Sequence, residues 1–282
     1  MVENRPLLNF FSHCSLWIAV LLICFPIYLA FVASTHTETD VISVPISLLP
    51  GDQMIQNYTA ALWGNESSAT SLPVSRMLWV TFVMTMLIAV GKITISLLSA
   101  FAIVYFRFPF RGLIFILIFV TLMLPVEVRI IPTYEVVVNL HLINSYAGLT
   151  IPLIASATAT FLFRQFFATV PQELLEASKM DGAKAMTFFK DILVPLSIPS
   201  IAALFVIQFI YGWNQYLWPL LMTTSEDMFS LGIGVRKMLD TGGGPISWNV
   251  VMASVMLMLI PPTFVILLMQ KWLVKGLIDS EK

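Results

Sequence analysis

Long apolar runs, separated by short polar stretches, most constrain what this chain can fold into. A helix of about 20 apolar residues matches the hydrocarbon thickness of a bilayer. Inside a bilayer the backbone must satisfy its own hydrogen bonds, so such runs fold as helices. We predict about six spans, with approximate bounds of 16–33, 77–105, 113–132, 149–167, 198–222 and 250–269.

Composition excludes an ordinary soluble domain. Of the 282 residues, 58% are hydrophobic and only 11% are charged, whereas soluble domains carry about 25% charged residues. The predicted fold class is therefore all-α, a polytopic membrane protein in which residues 1–282 form a single transmembrane domain. The net charge of -1 gives no reason to expect nucleic acid as a partner.

The first apolar run is expected to remain as a helix. It is longer than the apolar region of a usual signal peptide, and no clear A-x-A cleavage site follows it. A polar outer loop is predicted over residues 35–75. Within it, Asn57-Tyr58-Thr59 and Asn65-Glu66-Ser67 are formal glycosylation sequons of a length that arises often by chance.

Basic residues predict the orientation of the spans. With six spans and a cytoplasmic N-terminus, ten Lys and Arg residues fall in cytoplasmic segments and four in outer segments, while Lys92 lies within a span. Cytoplasmic segments of membrane proteins carry the excess of basic residues. We therefore expect both termini, and the polar loop over residues 168–196, to lie in the cytoplasm.

That polar loop keeps helical spacing despite its many charges. Pro171 suits a first helical position, and Asp181-Gly182 is a typical helix stop. After the stop, one helical face is apolar at i, i+3, i+4 and i+7, with Ala185, Phe188, Phe189 and Ile192. The residues predict two short helices with a turn between them. The spacing alone leaves open whether this helical pair binds a partner protein or is an ordinary solvated loop.

The same loop carries a long motif of a known family. Its spacing follows the pattern EAA-x3-G-x9-I-x-L-P, with matches at Glu176, Ala177, Gly182, Ile192 and Pro195. Ser178 replaces the second Ala, and Val194 replaces Leu. The loop resembles the cytoplasmic coupling motif of binding-protein-dependent ABC importer permeases. The resemblance covers most of the chain, from the second span onward.

Further segments resemble particular groups within this family. Residues 161–167, 171–174 and 181–183 are similar to the sugar-importer permease group. Other segments resemble permeases of sn-glycerol-3-phosphate importers, namely residues 1–6, 107–109, 124–130, 212–219 and 279–282. The resemblance implies sn-glycerol-3-phosphate, or related glycerophosphodiesters, as cargo. The alternative within the family is a sugar or an oligosaccharide.

The resemblance also implies partners and a division of labour. Such a permease pairs with a second, different permease, two ATPase subunits and a periplasmic substrate-binding protein in the bacterial inner membrane. ATP is used by the partner ATPase; this chain has no Walker A sequence and is expected to bind no cofactor. The residues expected to couple to the ATPase are Glu176, Ala177, Ser178, Asp181, Gly182, Ile192 and Pro195.

Polar residues within the spans are candidates for the substrate path. Lys92 would cost roughly 2.5–3.5 kcal/mol at mid-span, so it should face a partner or water. It can attract an anionic substrate, or it can form a structural pair with another span. Arg129 can act likewise, or pair locally with Glu127. Asn214 and Gln215 can bond a substrate, or bond backbone near Gly212.

Two other function classes are weaker. A secondary transporter or channel would suit an intramembrane Lys92 but needs no coupling loop. A membrane enzyme would need convergent catalytic groups or metal ligands, and the sequence offers neither, so we expect no catalytic or metal-binding residues. An aromatic cluster at Trp213, Tyr216 and Trp218 can form a stacking surface for a sugar-like substrate, but its position near a span end favours an interfacial belt.

Overall fold

The computed structural model describes residues 6–45, 47–64, 73–121, 126–240 and 245–278. These residues form α-helices and a few short 3₁₀ and π turns. The helices are α1 Pro6–Ala33, α2 Glu38–Val41, α3 Met54–Trp63, α4 Val74–Tyr105, α5 Arg111–Val120, α6 Val126–Asn139, α7 Tyr146–Thr150, α8 Ala157–Thr169, α9 Gln172–Met180, α10 Ala185–Phe188, α11 Val194–Leu196, α12 Ile198–Trp213, α13 Leu217–Met222, α14 Leu231–Leu239 and α15 Trp248–Ile278.

Three helices are long and apolar enough to cross a membrane alone, namely α1, α4 and α15. Two bent helix pairs bring the total to as many as five within the described residues. One pair is Tyr146–Leu153 with Ala157–Thr169, bent by 50°, and the other is Ala185–Leu196 with Ile198–Trp213, bent by 72°. The predicted fold class, an all-α polytopic membrane protein, is confirmed.

Several predicted span bounds differ from the helices. The run over 113–132 corresponds to α5, of ten residues, and to α6, with residues 122–125 outside the described part. The run over 149–167 is interrupted between Leu153 and Ala157, where Ser156 caps α8 by accepting the N–H of Ala159 at 3.3 Å. The run over 198–222 is interrupted after Trp213, and Pro219 in α13 has no N–H to continue the ladder.

The predicted outer loop over 35–75 contains two helices, α2 and α3. It belongs to the first of two compact units, which comprises Met1–Arg76 and Gly234–Ile260. The Asn57 side chain connects separate segments of this unit by hydrogen bonds. Its side-chain amide donates to the carbonyls of Ser34 at 3.0 Å and His36 at 2.8 Å, and its oxygen accepts from Asn249 at 2.8 Å. The side chain of this sequon asparagine is therefore buried and fully bonded.

The second unit comprises Met77–Ile233 and Pro261–Lys282, and α4 is its central helix. Towards the N-terminal end of α4, Val80, Met84 and Ile88 pack with residues of α6, α7 and α13. Towards the C-terminal end, Ile93, Leu97 and Phe101 pack with α8, α12 and the polar loop over residues 168–196, which we call the coupling loop after the motif that it resembles. The helix that carries Lys92 is thereby packed along its length against the elements that hold the other candidate residues.

Candidate functional site

The first helix of the coupling loop, α9, ends in a hydrogen-bonded turn at Gly182. The Gly182 N–H donates to the Lys179 carbonyl, and the Ala183 N–H donates to the Ser178 carbonyl, both at 3.0 Å. This pair of bonds is the Schellman motif of helix ends. Gly182 has a φ of +74°, a left-handed conformation that glycine adopts without a Cβ penalty. The predicted helix stop is confirmed.

The second helix of the loop is not uniformly α-helical. α10 continues through a π-helical turn, Phe189–Leu193, into α11, which ends at Leu196, one residue after Pro195. Phe188 and Phe189 are buried, and Ile192 packs partly buried against the same cluster, as the apolar face predicted. Ala185 differs, because it is exposed.

A cluster of rings joins this second helix to the rest of the unit. We call it the aromatic joint, and its members are Phe101, Tyr105, Phe167, Phe188 and Phe189. The rings of Tyr105 and Phe188 are 5.3 Å apart, and those of Phe101 and Phe189 are 4.8 Å apart. The Tyr105 hydroxyl also donates to the Phe167 carbonyl at 3.2 Å. The coupling loop is thus fixed to both α4 and α8.

The predicted coupling residues divide by exposure. Ser178 is buried and Ile192 is half-buried, so these two hold the loop in place. The other five are exposed, namely Glu176, Ala177, Asp181, Gly182 and Pro195. Beside them, Met180 is 85% exposed, and a Cβ added to Gly182 would meet nothing within 4 Å. The turn therefore presents a surface that the described part of this chain does not cover.

Lys92 is buried near the middle of α4, with 7% of its surface exposed. It lies 18 residues from Val74, about 27 Å along the helix axis. Its ammonium nitrogen is 3.6 Å from the ring centroid of Tyr211 on α12. Within the described residues no carboxylate forms an ion pair with it. The contact is a cation–π pair, which is stronger when desolvated.

The other path candidates are only partly brought together with Lys92. Arg129 on α6 is exposed. The side chain of Glu127, its expected partner, lies outside the described residues. Gln215 donates to the Tyr211 carbonyl at 3.2 Å, the backbone role that was one of its two readings. Asn214 is exposed at the end of α12.

The interpretation of Trp213 and Trp218 as an interfacial belt is wrong. Both indoles are buried, with 3% and 4% of their surfaces exposed. Trp213 stacks on Phe209 at 5.7 Å, and Trp218 donates from its ring nitrogen to the Gly148 carbonyl at 3.2 Å. These rings pack helices together inside the unit and do not face lipid headgroups.

A polar stripe on α4 was not predicted from the sequence. Thr81, Thr85, Lys92 and Ser96 are all buried, and a helical period of 3.6 places them within about 60° of one another. The Leu231 N–H donates to the Thr81 hydroxyl at 2.8 Å, and the Ser96 hydroxyl donates to the Ser156 carbonyl at 3.3 Å. The spacing of these polar residues within an apolar run was the available signal.

No metal centre emerges from the described residues, where no group of three or more His, Cys, Asp or Glu side chains could hold an ion. The geometry therefore comprises an exposed turn at Gly182, held by the aromatic joint, and a buried lysine on α4.

Comparisons with known proteins fit this geometry. Over all 282 residues the chain is 58% identical to the sn-glycerol-3-phosphate transport system permease protein UgpE of Yersinia enterocolitica serotype O:8, with 100% of both chains covered. It is 55% identical, again over 100% of both chains, to the protein of the same name from Brucella melitensis biotype 1.

A solved structure shares the fold. It is a bacterial ABC transporter involved in the import of the acidic polysaccharide alginate, with a TM-score of 0.78 at 22% identity, covering 96% of this chain and 98% of that one. The family model described as "Binding-protein-dependent transport system inner membrane component" matches residues 92–279, which include Lys92, the aromatic joint and the coupling loop. The chain belongs to this family of inner-membrane transport permeases.

Proposed function

We propose that this chain is a permease subunit of an ATP-driven importer that moves sn-glycerol-3-phosphate, or related glycerophosphodiesters, across the bacterial inner membrane. The observation that carries the cargo is the full-length identity of 58% to a protein named for sn-glycerol-3-phosphate transport. The observation that supports ATP coupling is the exposed turn at Gly182, fixed to two spans by buried rings.

In this proposal the coupling loop is the contact with a separate ATPase subunit. Glu176, Ala177, Asp181, Gly182 and Pro195 form or flank the docking surface, and Ser178 and Ile192 hold it on the core. Closure of the ATPase dimer on ATP would move the loop. The aromatic joint would pass that movement into α4 and α8, because close-packed rings transmit displacement with little slack.

The full assembly would contain a second, different permease, two ATPase subunits and a periplasmic substrate-binding protein. The apolar surfaces of α1 and α15 support a membrane setting with a second permease. Most described residues of α1 are exposed and few described residues of α15 are buried, although both helices are apolar enough to span a bilayer. Lipid and a neighbouring permease together would cover them. The excess of basic residues in the segments on the coupling-loop side supports cytoplasmic termini.

The first test is uptake of labelled sn-glycerol-3-phosphate in cells that lack other carriers for it. Uptake should require this chain. Unchanged uptake without the chain would reject this cargo, and labelled sugars would then be tested. A secondary transporter would also differ on purification, because an importer of the proposed kind brings an ATPase and a second permease with it.

The second test separates cargo from coupling with two substitutions at Gly182. Gly182→Trp introduces a bulky ring into the docking surface and strains a φ of +74°. Gly182→Asn is the control, because asparagine tolerates the left-handed conformation. We expect the Trp variant to insert and assemble but to hydrolyse ATP without uptake, and the Asn variant to retain most uptake. Normal uptake by the Trp variant would overturn the coupling assignment.

A further inference from the structure

The buried cation on α4 has no anionic partner in the part of the chain that the structure describes. Lys92 has 7% of its surface exposed and only an aromatic ring as partner within the described residues. Charged side chains within membrane spans face a partner or a water-filled cavity, since an unpaired charge in hydrocarbon is costly. A Tyr ring offsets part of that cost through its quadrupole but carries no net charge.

A second cation, Arg129, is exposed on α6. The helix that carries it packs against α4, since Ile130 and Val137 join the cluster of Val80, Met84 and Ile88. Positive charges on two packed helices can be stabilised together by one anion between or beside them. A phosphate monoester supplies that charge, with close to two negative charges at neutral pH.

Lys92 is one of several buried polar residues along one face of α4. On the same face of α4, Thr85 is fully buried, and its hydroxyl has no hydrogen-bond partner. Gly212 on α12 lies against it, since a Cβ added there would be 3.2 Å from the Thr85 Cα. A buried hydroxyl without a partner is costly in a single static state. Separation of α4 from α12 would expose Thr85 and Lys92 together.

A break in the neighbouring helices lies alongside the same part of α4. Gly91 contacts Ile154, because a Cβ added to Gly91 would be 2.7 Å from the Ile154 side chain. Ser96 bonds the carbonyl of Ser156. These contacts lie on the two sides of Lys92 along α4, and both partners belong to the non-helical segment before α8. Irregular backbone at membrane depth occurs where it is buried in protein or lines a cavity.

From these observations, and resting on the proposed function, we propose that Lys92, aided by Arg129, is an anion subsite that takes the phosphate group of the substrate during translocation. The Tyr211 ring holds the ammonium while the subsite is empty. The phosphate replaces the ring as partner when α4 and α12 separate. This subsite would favour a phosphate monoester over a neutral sugar and over a zwitterionic diester.

The experiment compares two labelled substrates in proteoliposomes that contain the full transporter and saturating binding protein. One is sn-glycerol-3-phosphate, and the other is glycerophosphocholine, which carries a single negative charge and a positive one. Lys92→Met keeps most of the length of the side chain and removes its charge. Lys271→Met is the matched control, because Lys271 is an exposed lysine on α15. Rates are divided by the amount of assembled complex.

We expect Lys92→Met to lower monoester uptake about tenfold relative to diester uptake, since a hydrogen bond to a charged group contributes about one decade in rate or affinity. Lys92→Arg should retain most monoester uptake, and Lys271→Met should match the wild type. Equal monoester and diester uptake ratios in Lys92→Met and wild type would overturn the subsite.

A structural role for Lys92 would give a different pattern. If Lys92→Met fails to assemble, Arg129→Gln decides, because the exposed Arg129 side chain can change without disturbing the packing. A selective loss of monoester uptake in Arg129→Gln supports the subsite, and an unchanged ratio overturns it. Wild-type complex that moves neither substrate would instead reject the proposed cargo, which keeps the two failures apart.

Discussion

Phe188→Ala tests whether the aromatic joint carries force from the coupling loop into the spans. Phe188 is 2% exposed, and its ring meets Tyr105 of α4 at 5.3 Å. Truncation of a buried Phe to Ala costs about 3–5 kcal/mol in protein cores. If about 3 kcal/mol of that loss falls on the contact between loop and α4, the population of loops detached from α4 rises by about two orders of magnitude.

The assay is the ratio of ATP hydrolysed to substrate moved, measured in proteoliposomes with the whole transporter. A loosened joint should leave the exposed docking surface at Gly182 intact, so ATP hydrolysis should persist. Movement of α4 and α8 should fail to follow, so uptake should fall and the ratio of ATP to substrate should rise at least tenfold. The physical reason is that the loop moves without displacing the spans.

Two control variants are compared with Phe188→Ala. Tyr105→Phe keeps the ring and removes the hydroxyl bond to the Phe167 carbonyl, a loss of about 0.5–1.5 kcal/mol. It should raise the ratio little. Leu196→Ala removes an exposed apolar side chain from the same loop, outside the joint, and should behave as wild type. A Phe188→Ala complex that assembles and couples like wild type would refute the reasoning.

Two further predictions concern stability, measured as the thermal unfolding midpoint of the purified complex in detergent. Gly148→Ala should destabilise the complex strongly, because the added Cβ would be 2.1 Å from the Leu142 carbonyl oxygen and the backbone would have to move. Gly112→Ala is the control, since its Cβ meets nothing within 4 Å and the change should be neutral or slightly stabilising. Equal midpoints for the two variants would contradict this prediction. Asn57→Ala should lower the free energy of unfolding by about 2–4 kcal/mol, since it removes three hydrogen bonds, including that from Asn249, and leaves buried carbonyls unpaired. A midpoint within about one degree of the wild-type value would contradict a stabilising role for these hydrogen bonds.

Local signals explain why the coupling loop could be predicted so closely. The stop at Gly182 depends on residues within five positions of it, and the apolar face of Phe188, Phe189 and Ile192 depends on helical spacing alone. The π turn could not be predicted, because it arises where adjacent rings, Phe188 and Phe189, both reach the core. That requirement comes from α4 and α8, far away in the chain.

The interior of the spans was predicted less well, because its contacts join distant residues. Trp218 bonds the carbonyl of Gly148, 70 positions away, and this contact turned an expected belt residue into a core residue. Lys92 stood out by its charge, but its partner Tyr211 could not be identified from the sequence. The break before α8 was missed because small residues at 155–157 fit a continuous helix as well as a capped one.

The π turn at Phe189–Leu193 lies within the family motif, so the number of residues in the motif determines how the turn at Gly182 is rotated relative to the spans. Each residue of an α-helix turns the chain by about 100° and advances it by about 1.5 Å. One residue deleted between Gly182 and Ile192 would therefore point the docking turn to another side of the molecule, even with every motif residue still present. The nine-residue interval thereby sets the direction in which the turn faces relative to the spans beyond the aromatic joint.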